Sequence, residues 1–191
     1  MGIDPRKVNL SKIRADHLFY RSKFNNSSDP EDFQDKEIEI CLWSSKRDSY
    51  VPGGMQSLVL RVNMPYSHFK KYWKAPFKRK GEYNQIKKTL VDKLIDVVEE
   101  VLPGLKSAII VEDAGTPLTY FDFTGRHRGS VAGWTRDLKK MHLQGKYLHT
   151  SVENLLFAGI YSMVEPFLGG VPVSIYTGNL AAERVLATSN Q

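Results

Sequence analysis

The sequence lacks several features that would assign it to a common class of protein. It has a single cysteine, Cys41, so an internal disulfide framework is impossible and a reducing compartment is favoured. No apolar run approaches the roughly 20 residues that cross a bilayer, and residues 1–10 lack the hydrophobic core of a signal peptide. We therefore expect a cytoplasmic chain, either free or peripheral to a membrane.

Common catalytic motifs are also absent. The sequence has no Gly-x-Ser-x-Gly nucleophile elbow and no P-loop, and its five histidines show no metal-ligand spacing. It has no Gly-x-Gly-x-x-Gly followed by a helix and an acidic residue, the fingerprint that holds a dinucleotide's pyrophosphate. These absences argue against an α/β-hydrolase, a P-loop NTPase and a histidine-bound metal centre, and they leave no residue singled out as catalytic.

The composition is that of a folded protein with a basic surface. The 191 residues are 41% hydrophobic and 25% charged, which is enough for one ordinary domain with a substantial core. The formal net charge of +6 favours polyanions or an anionic membrane surface as partners, although many basic proteins bind neither.

Hydrophobic periodicity predicts an α+β fold, with a mixed or antiparallel sheet and one long helix. Alternation predicts strands over 37–43 and 57–64, and a 3.6-residue stripe predicts a helix over 83–102 that packs into the core. Shorter apolar runs predict strands at 17–20 and 108–112. Within its strand, Cys41 is predicted to be a small buried hydrophobe rather than a reactive thiol.

The segment 68–80, which we call the basic aromatic segment, has an unusual local composition. It contains six lysines and arginines and no acid, with four aromatic residues between the cations. The aromatic rings and cations could lie on an anionic membrane surface, or stack on single-stranded nucleic acid, which we consider the less favoured of the two. Alternatively, the charges are solvated and the aromatic side chains belong to the core.

The stretch 154–186 is the most informative part of the sequence. Residues 155–158 form a short apolar run ending at Gly159, which predicts a buried strand. A loop closes in Gly169 and Gly170, and Pro172 opens a helical pattern. The free N–H groups of such a helix N-terminus stabilise an anionic or electron-accepting ligand. An ordinary strand-to-helix turn is the alternative interpretation.

The order of residues in this stretch (NLLFAG, then GGVP and GNLAAERVL) resembles the C-terminal motif of FAD-dependent oxidoreductases of the phytoene desaturase and carotenoid isomerase type. The resemblance implies FAD as cofactor and a hydrophobic isoprenoid or polyene substrate. Ile160 departs from the family pattern, which has Gly-x-Trp or Gly-Asp here. The residues implied to contact the cofactor are Gly159, Ile160, Gly169, Gly170, Val171 and Pro172.

A second segment, 113–134, resembles the part of these enzymes that runs from the substrate domain back toward the flavin. It is predicted to be a glycine-rich loop that carries binding residues. The resemblance implies that Gly129 and Ser130 approach the cofactor. It also implies an apolar substrate pocket lined by Tyr120, Phe121, Phe123 and Trp134, although the same aromatic residues would also suit the core.

The resemblance covers only the C-terminal portion of a family enzyme. It implies a substrate-domain-like region over 1–150 and, over 151–191, the closing strand and helix of an incomplete, Rossmann-like FAD-binding domain. We therefore expect a fragment, a split-gene subunit or an excised domain, inactive in isolation, whose partners are the missing FAD-domain chain or a second copy of itself. The alternative is a non-enzymatic binding module that uses the basic aromatic segment.

Overall fold

The computed structural model describes residues 1–13, 17–43, 53–131, 150–162 and 170–189. They belong to two compact units, Met1–Gly129 and Ser130–Gln191. The predicted substrate-domain region, 1–150, includes residues outside the described ranges, so its boundary with 151–191 stays a prediction. Within the described ranges, no helix combines the length and apolarity needed to cross a bilayer.

The strands of the first unit are β1 (Gly2–Ile3), β2 (His17–Tyr20), β3 (Ile38–Trp43), β4 (Gln56–Val62), β5 (Trp73–Ala75), β6 (Lys78–Arg79) and β7 (Ile109–Val111). Five of them form an antiparallel sheet with the order β2-β3-β4-β1-β7, and β5 and β6 form a separate two-stranded hairpin. This confirms the predicted α+β class and the strands expected near 17–20, 37–43, 57–64 and 108–112.

Strand β3 shows why the alternating pattern predicts the sheet so well. Ile38 and Ile40 are fully buried, and Ile40 pairs with Leu60 of β4. Because side chains alternate across a strand, Cys41 lies on the opposite face from Ile40. The prediction of a buried Cys41 is therefore wrong: the side chain is half-buried, and its Sγ lies 3.5 Å from Nε2 of His17.

The described residues also form five α-helices: α1 (Tyr66–Lys70), α2 (Tyr83–Glu99), α3 (Leu105–Ala108), α4 (Pro117–Thr124) and α5 (Gly170–Ser189). The long helix α2 packs its apolar face into the core, as predicted, through Leu90, Val97 and Val98, and it also buries Ile95. After α2 the chain turns at Gly104, where φ is +92° and an added Cβ would lie 2.4 Å from the carbonyl oxygen of Lys7.

Helix α4 lies where the glycine-rich sequence predicted a loop, and that prediction is wrong for 117–124. The helix has a capping box, in which the Thr119 hydroxyl accepts a hydrogen bond from the Thr116 N–H and the Thr116 side chain accepts one from the Thr119 N–H. Pro117 occupies the first turn, and Gly125 ends the helix in the left-handed conformation. These local signals outweigh the glycine spacing.

The second unit contains the predicted helix, α5, but not the predicted strand. Residues 155–158 form no strand, and only Leu156 takes part in an isolated bridge. Leu155 and Phe157 are exposed. A short apolar run becomes a buried strand only when neighbouring strands pair with it, and the described residues of this unit provide none.

Candidate cofactor and substrate sites

The turn that begins at Gly159 is the centre of the candidate cofactor site in the second unit. Gly159 has a φ of +100°, and its carbonyl oxygen accepts hydrogen bonds from the Ser162 N–H (3.1 Å) and the Ser162 hydroxyl (2.6 Å). A Cβ added to Gly159 would meet no atom within 4 Å. The backbone of this turn is therefore fixed on one side and open on the other.

Thr177 joins this turn to helix α5. The Gly159 N–H donates to Thr177 Oγ1 at 2.9 Å, and the Thr177 hydroxyl donates to the Val173 carbonyl at 2.7 Å. Both Thr177 and Ser162 are buried. Sequence reasoning missed these two residues. The available signal was a hydroxyl residue four positions after Val173, on the helix face expected to be apolar.

The structure brings three of the predicted cofactor residues together. A Cβ on Gly170, the first residue of α5, would lie only 3.2 Å from Cδ1 of Ile160, which itself follows Gly159. Glycine at position 170 thus lets the helix begin close to the turn. Val171 and Pro172 are exposed in the first turn of α5. Gly169 lies outside the described residues.

These residues fit one part of FAD better than the other. The first N–H groups of α5 have no intrahelical acceptor, and the open side of Gly159 permits close approach of a flat ring to the backbone. A diphosphate, in contrast, needs several donors or cations. Arg184 is the single cation among 150–162 and 170–189, and it lies far along α5 from the first turn. The described residues of this unit therefore suit the flavin ring rather than the pyrophosphate.

The predicted substrate residues on α4, in the first unit, differ in their surroundings. Phe121 packs against Tyr66 and Trp73, with ring centroids 6.1 and 6.4 Å apart. Tyr120 and Phe123 are exposed. Phe121 is thus part of a local aromatic core, whereas the other two are accessible to a ligand. Trp134 lies outside the described residues.

Gly129 is the last residue of a short 3-10 helix, His127–Gly129, that follows α4. Its φ is +63°, and an added Cβ would lie 1.9 Å from the carbonyl oxygen of Pro117. Packing against the start of α4 is therefore sufficient to require glycine at this position. Contact of Gly129 and Ser130 with a cofactor stays a prediction.

A buried ion pair anchors α4 to the β5-β6 hairpin. The Arg79 guanidinium donates to Asp122 Oδ2 at 2.6 Å, and the Asp122 side chain is 1% exposed. Burial opposes the charge on Arg79, but hydrogen bonds to Asp122 and Tyr83 outweigh it and raise the Arg79 pKa. In the part of the chain that is described, no group of three or more histidine, cysteine, aspartate or glutamate residues could hold a metal ion.

Comparison with known proteins relates the chain, at low identity, to enzymes that modify carotenoids and retinoids. It is 24% identical over 202 residues to all-trans-retinol 13,14-reductase of Danio rerio. It is 27% identical over 198 residues to 4,4'-diaponeurosporene oxygenase of Staphylococcus haemolyticus. These alignments include 97% and 98% of the chain, respectively.

A third similarity is shorter but closer. Prolycopene isomerase 2 of an Oncidium hybrid cultivar is 30% identical over 107 residues, which is 56% of the chain and 18% of that protein. The chain spans 33% and 36% of the length of the reductase and the oxygenase. No protein-family model matches the sequence.

Proposed function

We propose that this chain forms part of an FAD-dependent oxidoreductase or isomerase that acts on a hydrophobic isoprenoid or polyene substrate. The observation that carries the proposal is the junction of the Gly159 turn with the start of α5, fixed by Thr177 and left open at Gly159. The junction lies in the stretch whose residue order resembles such enzymes. Three similar proteins are named for reactions on retinol, prolycopene and 4,4'-diaponeurosporene, which supports this substrate class.

In this proposal the second unit contributes backbone groups rather than acid–base side chains. The N–H groups of Gly170 and Val171, at the start of α5, would stabilise negative charge on a bound flavin, and the helix dipole would add to that stabilisation. The exposed Val171 side chain would shield such a ligand from water. FAD, when bound, supplies the hydride chemistry, while the protein positions the reacting groups and desolvates them.

The first unit contributes the apolar lining for the substrate. Tyr120 and Phe123 are the accessible aromatic residues of α4, and Phe121 holds the helix in place by packing against Tyr66 and Trp73. A polyene offers no charge and few hydrogen-bonding groups, so aromatic and aliphatic surface is the chemistry that recognises it.

We further propose that the chain alone does not catalyse this reaction. The sequence contains no pyrophosphate-binding fingerprint, and Arg184, far along α5 from its first turn, is the single cation among residues 150–162 and 170–189. Activity would then require a chain that carries the rest of the FAD-binding domain, or association of several copies. Turnover of a polyene by the purified chain with FAD would contradict this part of the proposal.

The cofactor assignment can be tested by comparing FAD with riboflavin, which has the same ring but no diphosphate. Calorimetric titration of the chain should show weak binding of both ligands, with affinities within about tenfold of each other, because the ADP half gains few contacts here. If neither FAD nor riboflavin bound, the cofactor assignment would be contradicted. Binding of FAD alone would show that a diphosphate site exists.

A pair of glycine variants locates the site. The Gly159→Ala variant places a methyl group in the open space where the ring is proposed to lie, and it should abolish riboflavin binding. Gly54→Ala is the matched control, because Gly54 also has a positive φ, of +79°, and open space around its Cα. Both substitutions place a side chain at a positive φ in open space, so a loss confined to Gly159→Ala reports the ligand site.

A further inference from the structure

Two phenylalanine side chains form an exposed aromatic tip, Phe77 and Phe123, on the first unit. Phe77 lies in the turn of the β5-β6 hairpin and is 64% exposed, and Phe123 lies near the end of α4 and is 75% exposed. Their ring centroids are 5.2 Å apart with an interplanar angle of 82°. The two rings therefore contact each other edge to face while most of their surface faces solvent.

The aromatic tip is held outward by buried polar contacts. Asp122 Oδ2 accepts the Phe77 N–H at 2.9 Å as well as the Arg79 guanidinium. Phe77 has a φ of +57°, which is rare for a bulky residue and persists only where the surroundings impose it. On the inner side, Trp73 packs against Phe121. The fold thus presents Phe77 and Phe123 to solvent from a rigid support.

The surroundings of the aromatic tip are strongly cationic. Five exposed lysines lie in the basic aromatic segment, and none forms an ion pair within the described residues. They are Lys70, Lys71, Lys74, Lys78 and Lys80. The one acid of α4, Asp122, is committed to Arg79 and does not pair with these lysines.

We propose that the aromatic tip and these lysines form a docking surface for an anionic lipid bilayer. Aromatic side chains partition into the interfacial region of a bilayer. Each lysine near an anionic surface strengthens membrane binding roughly fivefold. Single-stranded nucleic acid fits less well, because stacking on successive bases requires free ring faces. Here the edge of one ring covers the face of the other. The surface shares Phe123 with the proposed substrate lining, but binding to a bilayer needs no cofactor and can be measured without one.

Flotation of the full chain with lipid vesicles tests this proposal. We expect binding to vesicles of phosphatidylcholine with phosphatidylserine, little binding to phosphatidylcholine alone, and release by salt. The double variant Phe77→Asn with Phe123→Ser should bind at least about tenfold more weakly, because it removes the apolar surface that enters the interface. Asparagine tolerates a positive φ, so the hairpin is expected to keep its shape.

Matched controls distinguish binding by the aromatic tip from nonspecific hydrophobic adhesion and from nonspecific electrostatic attraction. Phe24→Ser removes a phenylalanine of equal exposure, 73%, from another part of the same unit and should bind vesicles as wild type does. Lys74→Gln with Lys78→Gln should weaken binding by about fivefold per lysine. Lys7→Gln with Lys23→Gln removes two other exposed lysines and should weaken it less.

Three results would overturn the proposal. The first is absence of binding to anionic vesicles. The second is undiminished binding by the Phe77 and Phe123 double variant, with its fold verified by circular dichroism. The third is tight binding of a single-stranded oligonucleotide that depends on the lysines but not on Phe77 and Phe123, which would assign the surface to nucleic acid.

Discussion

The two units of the chain differ in how completely they bury their apolar side chains. In the first, the sheet and α2 surround a continuous core that includes the fully buried Ile40, Leu58 and Leu102. Among the described residues of the second, Val173 is the only buried large apolar side chain, while Ile175 and Leu186 of the same helix are more than half exposed. The apolar pattern of a helix is local, but burial requires a second layer.

This contrast accords with the proposed function. A helix and a turn that complete a larger cofactor domain would bury their apolar faces only when the rest of that domain is present. Among the described residues of the second unit, the hydrogen bond between the Gly159 N–H and Thr177 joins the turn to α5. Four experiments test this difference between the two units.

The largest effect is expected from a leucine truncated in each unit. Leu102→Ala creates a cavity at a fully buried position of the first unit and should cost about 2–5 kcal/mol in the free energy of unfolding. Leu186→Ala removes a side chain that is 64% exposed and should change it by less than about 0.5 kcal/mol. Urea unfolding followed by circular dichroism measures both. Equal losses would show that the second unit has a core of its own.

The second test removes the buried charge that supports α4. Asp122→Ala leaves the Arg79 guanidinium, itself only 16% exposed, without its partner, and should cost about 3 kcal/mol. Asp92→Ala is the control, because Asp92 pairs with Lys88 on the exposed face of α2 and its loss should be hardly measurable. A small loss for Asp122→Ala would mean that water reaches Arg79 easily and that the hairpin is held mainly by its aromatic contacts.

Sequence patterns predicted the strands and the long helix of the first unit well, because each apolar face there packs against another element of the same unit. Alternation at Ile38 and Ile40 and the stripe of α2 were sufficient to predict their burial. The same reasoning failed for 155–158, where an apolar run resembles a strand but none of the described residues of the second unit forms a strand beside it. Apolar character indicates a preference for burial, and it does not indicate whether a partner layer exists.

The candidate sites were predicted less completely than the fold. The proximity of Gly159, Ile160 and Gly170 was expected from the residue order, whereas Thr177 was missed because its hydroxyl acts across a tertiary contact. The pairing of Phe77 with Phe123 was equally hidden, since the two residues belong to different elements. Such pairs become visible only when the packing of a hairpin against a helix is known.

The third test removes the restraint in the second unit. Thr177→Val keeps the shape of the side chain but leaves the Gly159 N–H without its acceptor, which should cost about 1–2 kcal/mol locally. Amide exchange at Gly159 should accelerate accordingly. Thr188→Val is the control on the same helix, because the Thr188 hydroxyl donates to the Arg184 carbonyl and is exposed. Unchanged exchange at Gly159 would mean that another group fixes the turn.

The smallest effect is expected from acid, which lowers the stability of the first unit by protonating Asp35. The Ser27 N–H, the Arg21 guanidinium and the Asn25 N–H hold the pKa of the Asp35 carboxyl below its ordinary value, against the opposing effect of burial. Because the pKa is lower in the folded chain, this stabilisation is complete above the unfolded pKa. It is lost as the pH falls from about 4 toward the folded pKa.

Acid should therefore weaken the first unit more than the second, whose described carboxylates, Glu153 and Glu183, are both exposed. Amide NMR signals of β3 and α5, followed in urea titrations at about pH 7 and about pH 3, measure the two units separately. The Asp35→Asn variant should be less stable than wild type at neutral pH, and its β3 signals should depend less on pH. If acid shifted the α5 midpoint as far as that of β3, the two units would unfold together, and their different burial would not amount to different stability.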